Sequence, residues 1–481
     1  MSSLLQPRRT PEPERPFINR KPEIKLIIDK LKQGMLGKQM PSVVTCFWGA
    51  FGMGKSWLLI ELERRCHELS ASGKHNSHPP VVARLDLNKQ IVPVLWLGDQ
   101  LNKELLLREL WKQLAKQMGT GLPESERISA EALADAFVKQ VSTWSAQSAT
   151  PVIMLDTVDD LLELDEPAFG WLEEHLVEPL AMTDRVLFAF TSRGELWNWK
   201  RFQVRRRVDL WRLAAFDAKT AGKQLDLNPE IIHIFYRHAF GHPLFTEYLG
   251  TALENQGLSL RSAKEDDLTI EAALLEEILN QVVQEILKTV PEKLRTISQY
   301  TNVLRWVSSE PLRFLAEKLE LVEPGRGDAF YLDSIIGELQ AHHLLYWNGG
   351  KNCYEPDPVL RRLITSKLEL DNPQYFFKAH QAGFEFHQKH LAEYPQYLAR
   401  YIPELAYHRA VLERCSSLEE PAPAFANWLE SFLKIAPRNP EPWEALAKAL
   451  EQDHELAEVL SLEDRSLLIS ETRNQITKNT E

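Results

Sequence analysis

The stretch Gly49-Ala50-Phe51-Gly52-Met53-Gly54-Lys55-Ser56 carries glycine, lysine and serine in the GxxxxGK[ST] spacing, directly after the largely apolar run Val43 to Trp48. That pattern dictates local structure: a buried strand must deliver the chain to the loop, and a helix must start at its end. Leu58, Leu62, Cys66 and Leu69 follow at helical spacing and give that helix one apolar face. The glycines let successive backbone N–H groups curl around phosphate oxygens at a helix N-terminus, where negative charge is favoured. Lys55 reaches the β- and γ-phosphates, and the Ser56 hydroxyl ligates Mg²⁺. Gly49, Gly52, Gly54, Lys55, Ser56 and the next residue, Trp57, are the candidate nucleotide-contacting residues of the loop.

A chain of 481 residues exceeds what one hydrophobic core supports, so roughly two to four domains are expected. Its apolar content of 44% and charged content of 26% are those of a soluble globular protein, and no apolar run is long enough to span a bilayer. The net charge of −12 argues against a general nucleic-acid-coating role and leaves room only for a local basic face. Cys46, Cys66, Cys353 and Cys415 show no metal-ligand spacing and read as thiols of a reducing compartment. Met1 to Pro16 lacks the apolar centre of a signal peptide and is rich in Pro, Arg and Glu. Residues 1–14 are expected to be a disordered tail, and the protein is expected to be cytoplasmic with no membrane partner.

Strand and helix patterns then alternate. Val81 to Leu87 reads as a strand, Asn102 to Met118 as an amphipathic helix with Leu106, Leu110 and Leu114 on one face, and Ala130 to Ser148 as another helix. Pro151 to Leu155 is too apolar for a surface strand and ends in Asp156; Arg185 to Phe190 is a similar run, ending in Thr191-Ser192-Arg193. This alternation implies an α/β core over residues 15–215, with a parallel, doubly wound sheet whose ligands lie at the carboxyl ends of the strands.

Beyond Phe216 the strand signal fades. Residues 216–285 are expected to form a helical lid, interrupted by Gly241-His242-Pro243-Leu244. Residues 286–370 show short helices, a hairpin signal at Tyr346 to Lys351 and a second strand at Asn352 to Glu355, the pattern of a winged helix. Residues 371–481 read as an α-helical region, with Phe376, His380, Phe384, His387 and Leu391 as a stripe packed between helices. Asn439 to Leu450 resembles one helix of a tetratricopeptide unit, without a second copy at that repeat's period.

An acid closing an apolar strand about 100 residues after a phosphate loop sits where a second Mg²⁺-linked carboxylate is expected. Asp156 is thus both a metal candidate, with Ser56, and a catalytic one. Asp159 and Asp160 follow one helical step later, where a carboxylate either orients the attacking water or caps the helix; the sequence leaves both readings open. Arg193 would place a guanidinium beside the γ-phosphate if its strand neighbours the loop strand, the plain alternative being a surface arginine.

Together these motifs resemble the STAND class of P-loop NTPases, signal-transduction ATPases that include the NB-ARC and NACHT proteins and are related to the AAA+ and Orc/Cdc6 ATPases. Pro16-Phe17-Ile18-Asn19-Arg20-Lys21-Pro22-Glu23 looks like the family's FVGRexE segment, which lies against the adenine and implies nucleotide contacts from Ile18 and Arg20. Leu155-Asp156-Thr157-Val158-Asp159 resembles the bacterial form of its Walker B strand, and Thr191-Ser192-Arg193 its sensor 1 strand end. Gly241-His242-Pro243-Leu244 matches the GxP motif of the lid, with Pro243 near the base. The resemblance runs in family order over roughly residues 15 to 370. It implies an ADP-held closed state that ATP and Mg²⁺ convert to an open, oligomerising one, and an effector or sensor protein as partner. Two departures are visible: Thr157 stands where many relatives carry a second acid, which implies slow hydrolysis, and Asp357 lies near where NB-ARC relatives carry a phosphate-sensing histidine.

A winged helix also suits an Orc/Cdc6-like or transcription-regulating DNA-binding ATPase. The candidate third helix, Asp328 to His343, carries Asp328, Asp333 and Glu338 with no Lys or Arg, the wrong sign for phosphate contacts. The best basic patch, Lys200-Arg201 with Arg205-Arg206-Arg207, reads by default as a solvated face; nucleic acid, an acidic partner or a neighbouring subunit's nucleotide are the alternatives. His387 and His390 invite a metal reading that no accompanying ligand motif supports.

Overall fold

The computed structural model describes residues 17–40, 42–72, 78–121, 128–196, 198–268, 270–288, 290–321, 329–415, 425–433 and 438–480; the tail expected at 1–14 and the Asp328 end of the third helix lie outside them. It divides into two units, Met1–Ile270 and Glu271–Glu481.

In the first unit, β1 (Val44–Trp48) leads into the phosphate loop, β2 (Pro80–Asp86) follows, and a short antiparallel hairpin joins β3 (Trp96–Leu97) to β4 (Gln100–Leu101). β5 (Thr150–Asp156), β6 (Leu187–Ser192) and β7 (Val208–Arg212) complete a five-stranded sheet in the order β2-β5-β6-β1-β7, parallel throughout. Helices α1 (Lys21–Met35), α2 (Lys55–Ala71), α3 (Lys103–Met118) and α4 (Ala130–Gln147) pack around it. Every position of β1, β5 and β6 is buried, as expected of parallel strands covered on both faces. Phe47, Leu58, Phe137, Phe188 and Phe190 fill the core, each contributing roughly 1.5–3 kcal/mol by removal from water.

The edge strand β7 has no counterpart in the sequence reading, because Asp209 and Arg212 interrupt its apolar pattern and three arginines precede it. A polar tie holds it. Lys30 of α1 donates to Asp209 Oδ2 at 2.6 Å and to Thr45 Oγ1 at 2.8 Å, so a buried ammonium joins a helix to two adjacent strands.

Beyond β7 come helices Ala218–Leu225, Ile232–Ala239 and Pro243–Asn255. The first is capped by Asp217, which accepts from Thr220 N at 2.7 Å, and it ends in left-handed Asp226.

The second unit starts with helix Ala272–Ile286, which packs on Pro358–Asp371 although its residues fall within the 216–285 span expected as lid. Glu292–Thr301, Ser309–Lys318 and Ala329–Ala341 follow, then the hairpin β8 (Leu345–Asn348) and β9 (Cys353–Pro356). Val307 and Tyr354 exchange backbone hydrogen bonds at 2.7 and 3.0 Å, adding a third short extended segment beside the hairpin. Asp357 caps the next helix, accepting from Val359 N at 3.0 Å and Leu360 N at 3.2 Å.

Pro373–Glu393 and Leu398–Cys415 then pack side by side. Phe376, His380, His387 and Leu391 are buried as expected, whereas Phe384 is only half-buried. Phe386 is buried instead, because Ser309–Lys318 packs on that flank and brings Phe314 to 5.7 Å from it. Asn439 caps the helix Pro440–Gln452, accepting from Glu441 N at 3.1 Å.

Candidate nucleotide-binding site

The loop of residues 49–54 leaves the carboxyl end of β1 and enters α2, placing the helix N-terminus at the edge where parallel strands present ligands. Gly52 and Gly54 have φ of 76° and 82°, and Gly49 N donates to Ser192 O of β6 at 3.3 Å. Lys55 Nζ lies over the loop, donating to Gly49 O at 2.7 Å and Ala50 O at 2.8 Å. Ser56 and Trp57 face outward from the first turn of α2. The sheet order, the strand-loop-helix passage and the acid at the end of β5 together decide the fold. This is a P-loop NTPase fold.

Three successive loop carbonyls are held from outside the loop. Phe51 O accepts from His242 Nε2 at 2.8 Å, Gly52 O from Leu244 N at 3.3 Å, and Met53 O from Arg20 Nη2 at 2.9 Å. Arg20, buried and left-handed, also donates from Nη1 to Ala214 O at 2.8 Å and lies 4.8 Å from the centre of the Phe216 ring. Burial pulls its guanidinium below the ordinary arginine range, with Glu23 opposing the shift. Gly241 must be glycine. Its φ is 74°, and a Cβ there would sit 1.9 Å from Phe216 O. Pro243 is buried at the start of its helix, its carbonyl accepting from Gln224 Nε2 at 2.8 Å. Ile18 is half-buried and, with Phe17, Thr220, Lys223 and Gln224, lines a cavity of ≈ 770 Å³ between the N-terminal segment and the helices after β7.

At the end of β5, Thr191 Oγ1 donates to Asp156 Oδ1, and its oxygen also accepts from Thr157 N at 3.0 Å. Asp156 Oδ2 is buried with no hydrogen-bond partner among the described residues. An orphaned carboxylate oxygen costs about 1–3 kcal/mol unless something satisfies it, and a hard divalent cation suits it. The donor set of Asp156 with the Ser56 hydroxyl therefore fits Mg²⁺.

Asp159 is buried, and both of its oxygens accept from Arg193, Oδ1 from the backbone N at 3.1 Å and Oδ2 from Nε. Arg193 Nη2 also meets Glu163 Oε1 at 2.8 Å and Asp160 Oδ1 at 3.6 Å, so carboxylates surround its guanidinium. β6, which carries Arg193 at its end, does neighbour β1. Asp86, at the end of β2 in register with Asp156, was missed in the sequence although it closes a strand in the same way. Burial, with Asp156 alongside, pushes its carboxyl up to about 6. Thr191 and His242 were also missed; both lie inside motifs read only for Arg193 and Pro243.

No family profile and no curated protein matches this chain. Among solved structures, the ADP form of the Aeropyrum pernix ORC2 protein is similar at 14% identity and a TM-score of 0.48, covering 76% of this chain and 96% of that one. A Walker-type ATPase of Pyrococcus abyssi matches at 13% identity and TM-score 0.46, over 72% and 96% of the two chains. Cdc6p from Pyrobaculum aerophilum matches at 11% and 0.38, over 75% and 97%. None of the described helices is long and apolar enough to cross a membrane.

Proposed function

We propose that this chain is an ATP-binding regulatory NTPase of the STAND type, a conformational and oligomerisation switch set by ADP or ATP that signals to a protein effector or sensor and hydrolyses ATP slowly with Mg²⁺. The observation that carries this reading is the tether on the loop. His242, Leu244 and Arg20 each bond a carbonyl of the peptide units that would wrap the phosphates. A loop rearrangement driven by the γ-phosphate would therefore strain contacts to the lid and to the N-terminal segment together, which is what biasing two packings requires.

Each residue then has a physical task. Backbone N–H groups of Gly52 to Ser56 cradle phosphate oxygens, Lys55 exchanges its loop carbonyls for the β- and γ-phosphates, and Ser56 and Asp156 hold Mg²⁺, which would neutralise phosphate charge. Ile18, which lines the cavity beside Phe17, and Pro243, whose carbonyl accepts from the cavity-lining Gln224, are assigned to the base. The three short helices with β8 and β9 are read as the winged helix.

The DNA-binding alternative is less favoured on charge. Ala329–Ala341 contains Asp333 and Glu338 with no basic residue. In the 200–207 patch, Lys200 pairs with Glu166 at 3.3 Å, Arg201 with Glu174 at 2.6 Å and Arg207 with Asp184 at 2.7 Å, which removes much of the positive potential that phosphate contacts need.

Nucleotide-dependent size is the test. A larger hydrodynamic radius with a non-hydrolysable ATP analogue and Mg²⁺ than with ADP is expected; identical elution in both states would sink the switch. Salt-sensitive binding to duplex DNA near physiological ionic strength would move the assignment to the alternative.

A further inference from the structure

Hydrolysis needs a polar group that aligns water with the γ-phosphorus, a carboxylate being able to accept the water proton as well, and the acids at the carboxyl edge of the sheet are not equally available for it. Asp156 is matched to the metal. Asp159 is committed through both oxygens to Arg193, Glu163 meets the same guanidinium, and Asp160 Oδ2 accepts from Lys89 N at 3.2 Å with Arg193 near its other oxygen. Thr157 offers no carboxylate.

Asp86 remains. The ladder places it directly opposite Asp156 on the neighbouring strand, and Leu87 N donates to Asp156 O at 3.0 Å, so the two strand ends are locked side by side. Its Oδ1 accepts from Asn88 N at 2.8 Å and from Thr157 Oγ1 at 3.3 Å, whereas Oδ2 takes part in no hydrogen bond among the described residues. Thr157 holds left-handed backbone with φ of 57°, unusual for a β-branched residue, and this conformation accompanies its hydroxyl's contact with Asp86.

We infer that Asp86 is the water-orienting carboxylate of this NTPase, with Thr157 as the positioning residue that presents it. The inference rests on the hydrolysis proposed above. Water oxygen forms a bond to the γ-phosphorus while the bond from that phosphorus to the β–γ bridging oxygen breaks, its electron pair staying on ADP. One water proton passes to Asp86 and then to the departing phosphate, leaving ADP³⁻ and H₂PO₄⁻ from ATP⁴⁻ and water.

The test uses the full chain with ATP and Mg²⁺, measuring nucleotide affinity and single-turnover hydrolysis. Asp86→Asn should keep ATP affinity within about twofold and lower turnover by roughly 100-fold or more. Thr157→Ala should lower turnover about tenfold at unchanged KM. Thr157→Glu in the Asp86→Asn background should restore activity, because the new carboxylate starts from the adjacent strand end. Unchanged turnover in Asp86→Asn, or a loss of affinity equal to the loss of turnover, overturns the assignment of Asp86 while leaving the proposed hydrolysis standing. Wild-type chain that binds ATP without turning it over overturns the hydrolysis reading itself and this inference with it.

Discussion

His242 reaches Phe51 across nearly two hundred residues of sequence: its Nε2 stands 2.8 Å from the Phe51 carbonyl oxygen, at the crown of the phosphate loop. Its Nδ1 accepts from Phe245 N at 3.1 Å, which fixes the tautomer with the proton on Nε2. One neutral imidazole therefore caps a lid helix and holds the loop at once. The ring is fully buried, the bond to Phe245 N is made away from water, and the bond to the half-buried Phe51 is partly so.

His242→Ala leaves the buried N–H of Phe245 and the half-buried carbonyl of Phe51 without their partner, which should cost about 1–3 kcal/mol of stability and weaken nucleotide binding. Urea unfolding and calorimetric titration with ADP measure the two effects. Gly52→Ala should be as harmful, since a Cβ there would lie 2.5 Å from His242 Cε1 on a backbone with φ of 76°. Wild-type ADP affinity in both variants would show that the tether has no bearing on the nucleotide.

Lys55→Ala should leave the fold intact, because Nζ donates to Gly49 O and Ala50 O of the loop itself, and should weaken ATP binding by about 100-fold or more through loss of two charge-assisted hydrogen bonds to the phosphates. Circular dichroism checks the first statement and titration the second. Tight ATP binding in this variant would contradict the role assigned to the loop.

Asp156→Asn keeps an oxygen that accepts from Thr191 Oγ1 and replaces the orphaned Oδ2 with an amide that cannot ligate a cation. The variant should fold and bind nucleotide yet lose Mg²⁺-dependent turnover by roughly 100-fold. Titrating Mg²⁺ at fixed ATP distinguishes this from a general loss of binding; an unchanged Mg²⁺ dependence would remove Asp156 from the metal site.

Acid should destabilise the second unit. His380, His387 and His408 are buried there: burial, aided by Arg361 at His380 and by Arg305 at His387, pushes His387 down to about 3 and His380 well below 6.5. His408 is likewise pushed well below 6.5, by burial first and then by its histidine neighbours and Arg305. Above the unfolded pKa of about 6.5, all three are neutral in both states and contribute no pH dependence. As pH falls below it, the unfolded chain binds up to three protons that the folded one refuses, so stability drops by as much as ~4 kcal/mol per pH unit. Trp306, 5.4 Å from His387, offers a fluorescence reading of unfolding at pH 7.5 and 5.5. Equal stability at both values would mean that the histidines do not stay neutral, and His387→Phe should flatten the slope by about a third.

Much of the first unit was legible because its signals are local. The glycine-lysine-serine spacing, the apolar runs that became β5 and β6, and the 3.6-residue periodicities of α3 and α4 each sit within one window of chain. The edge strand β7 was not legible, since its residues are half-buried and its stability comes from pairing with β1 and from the Lys30 to Asp209 tie. Phe386 displaced Phe384 from the expected stripe for a similar reason: which flank of a helix is covered depends on a partner elsewhere in the sequence.

By itself, the amino-acid order determined that a strand, a phosphate-wrapping loop and a helix follow one another at residues 44 to 71, and that an acid closes a buried strand at Asp156. Only the tertiary structure decided what meets them. β6 is inserted between β5 and β1, so Thr191 reaches Asp156 and Arg193 finds Asp159; β2 beside β5 sets Asp86 against Asp156; and the lid turns His242 back onto Phe51. Those contacts are products of strand order and long crossovers, whose closure is rewarded only when the whole sheet forms, and no short stretch of sequence encodes them.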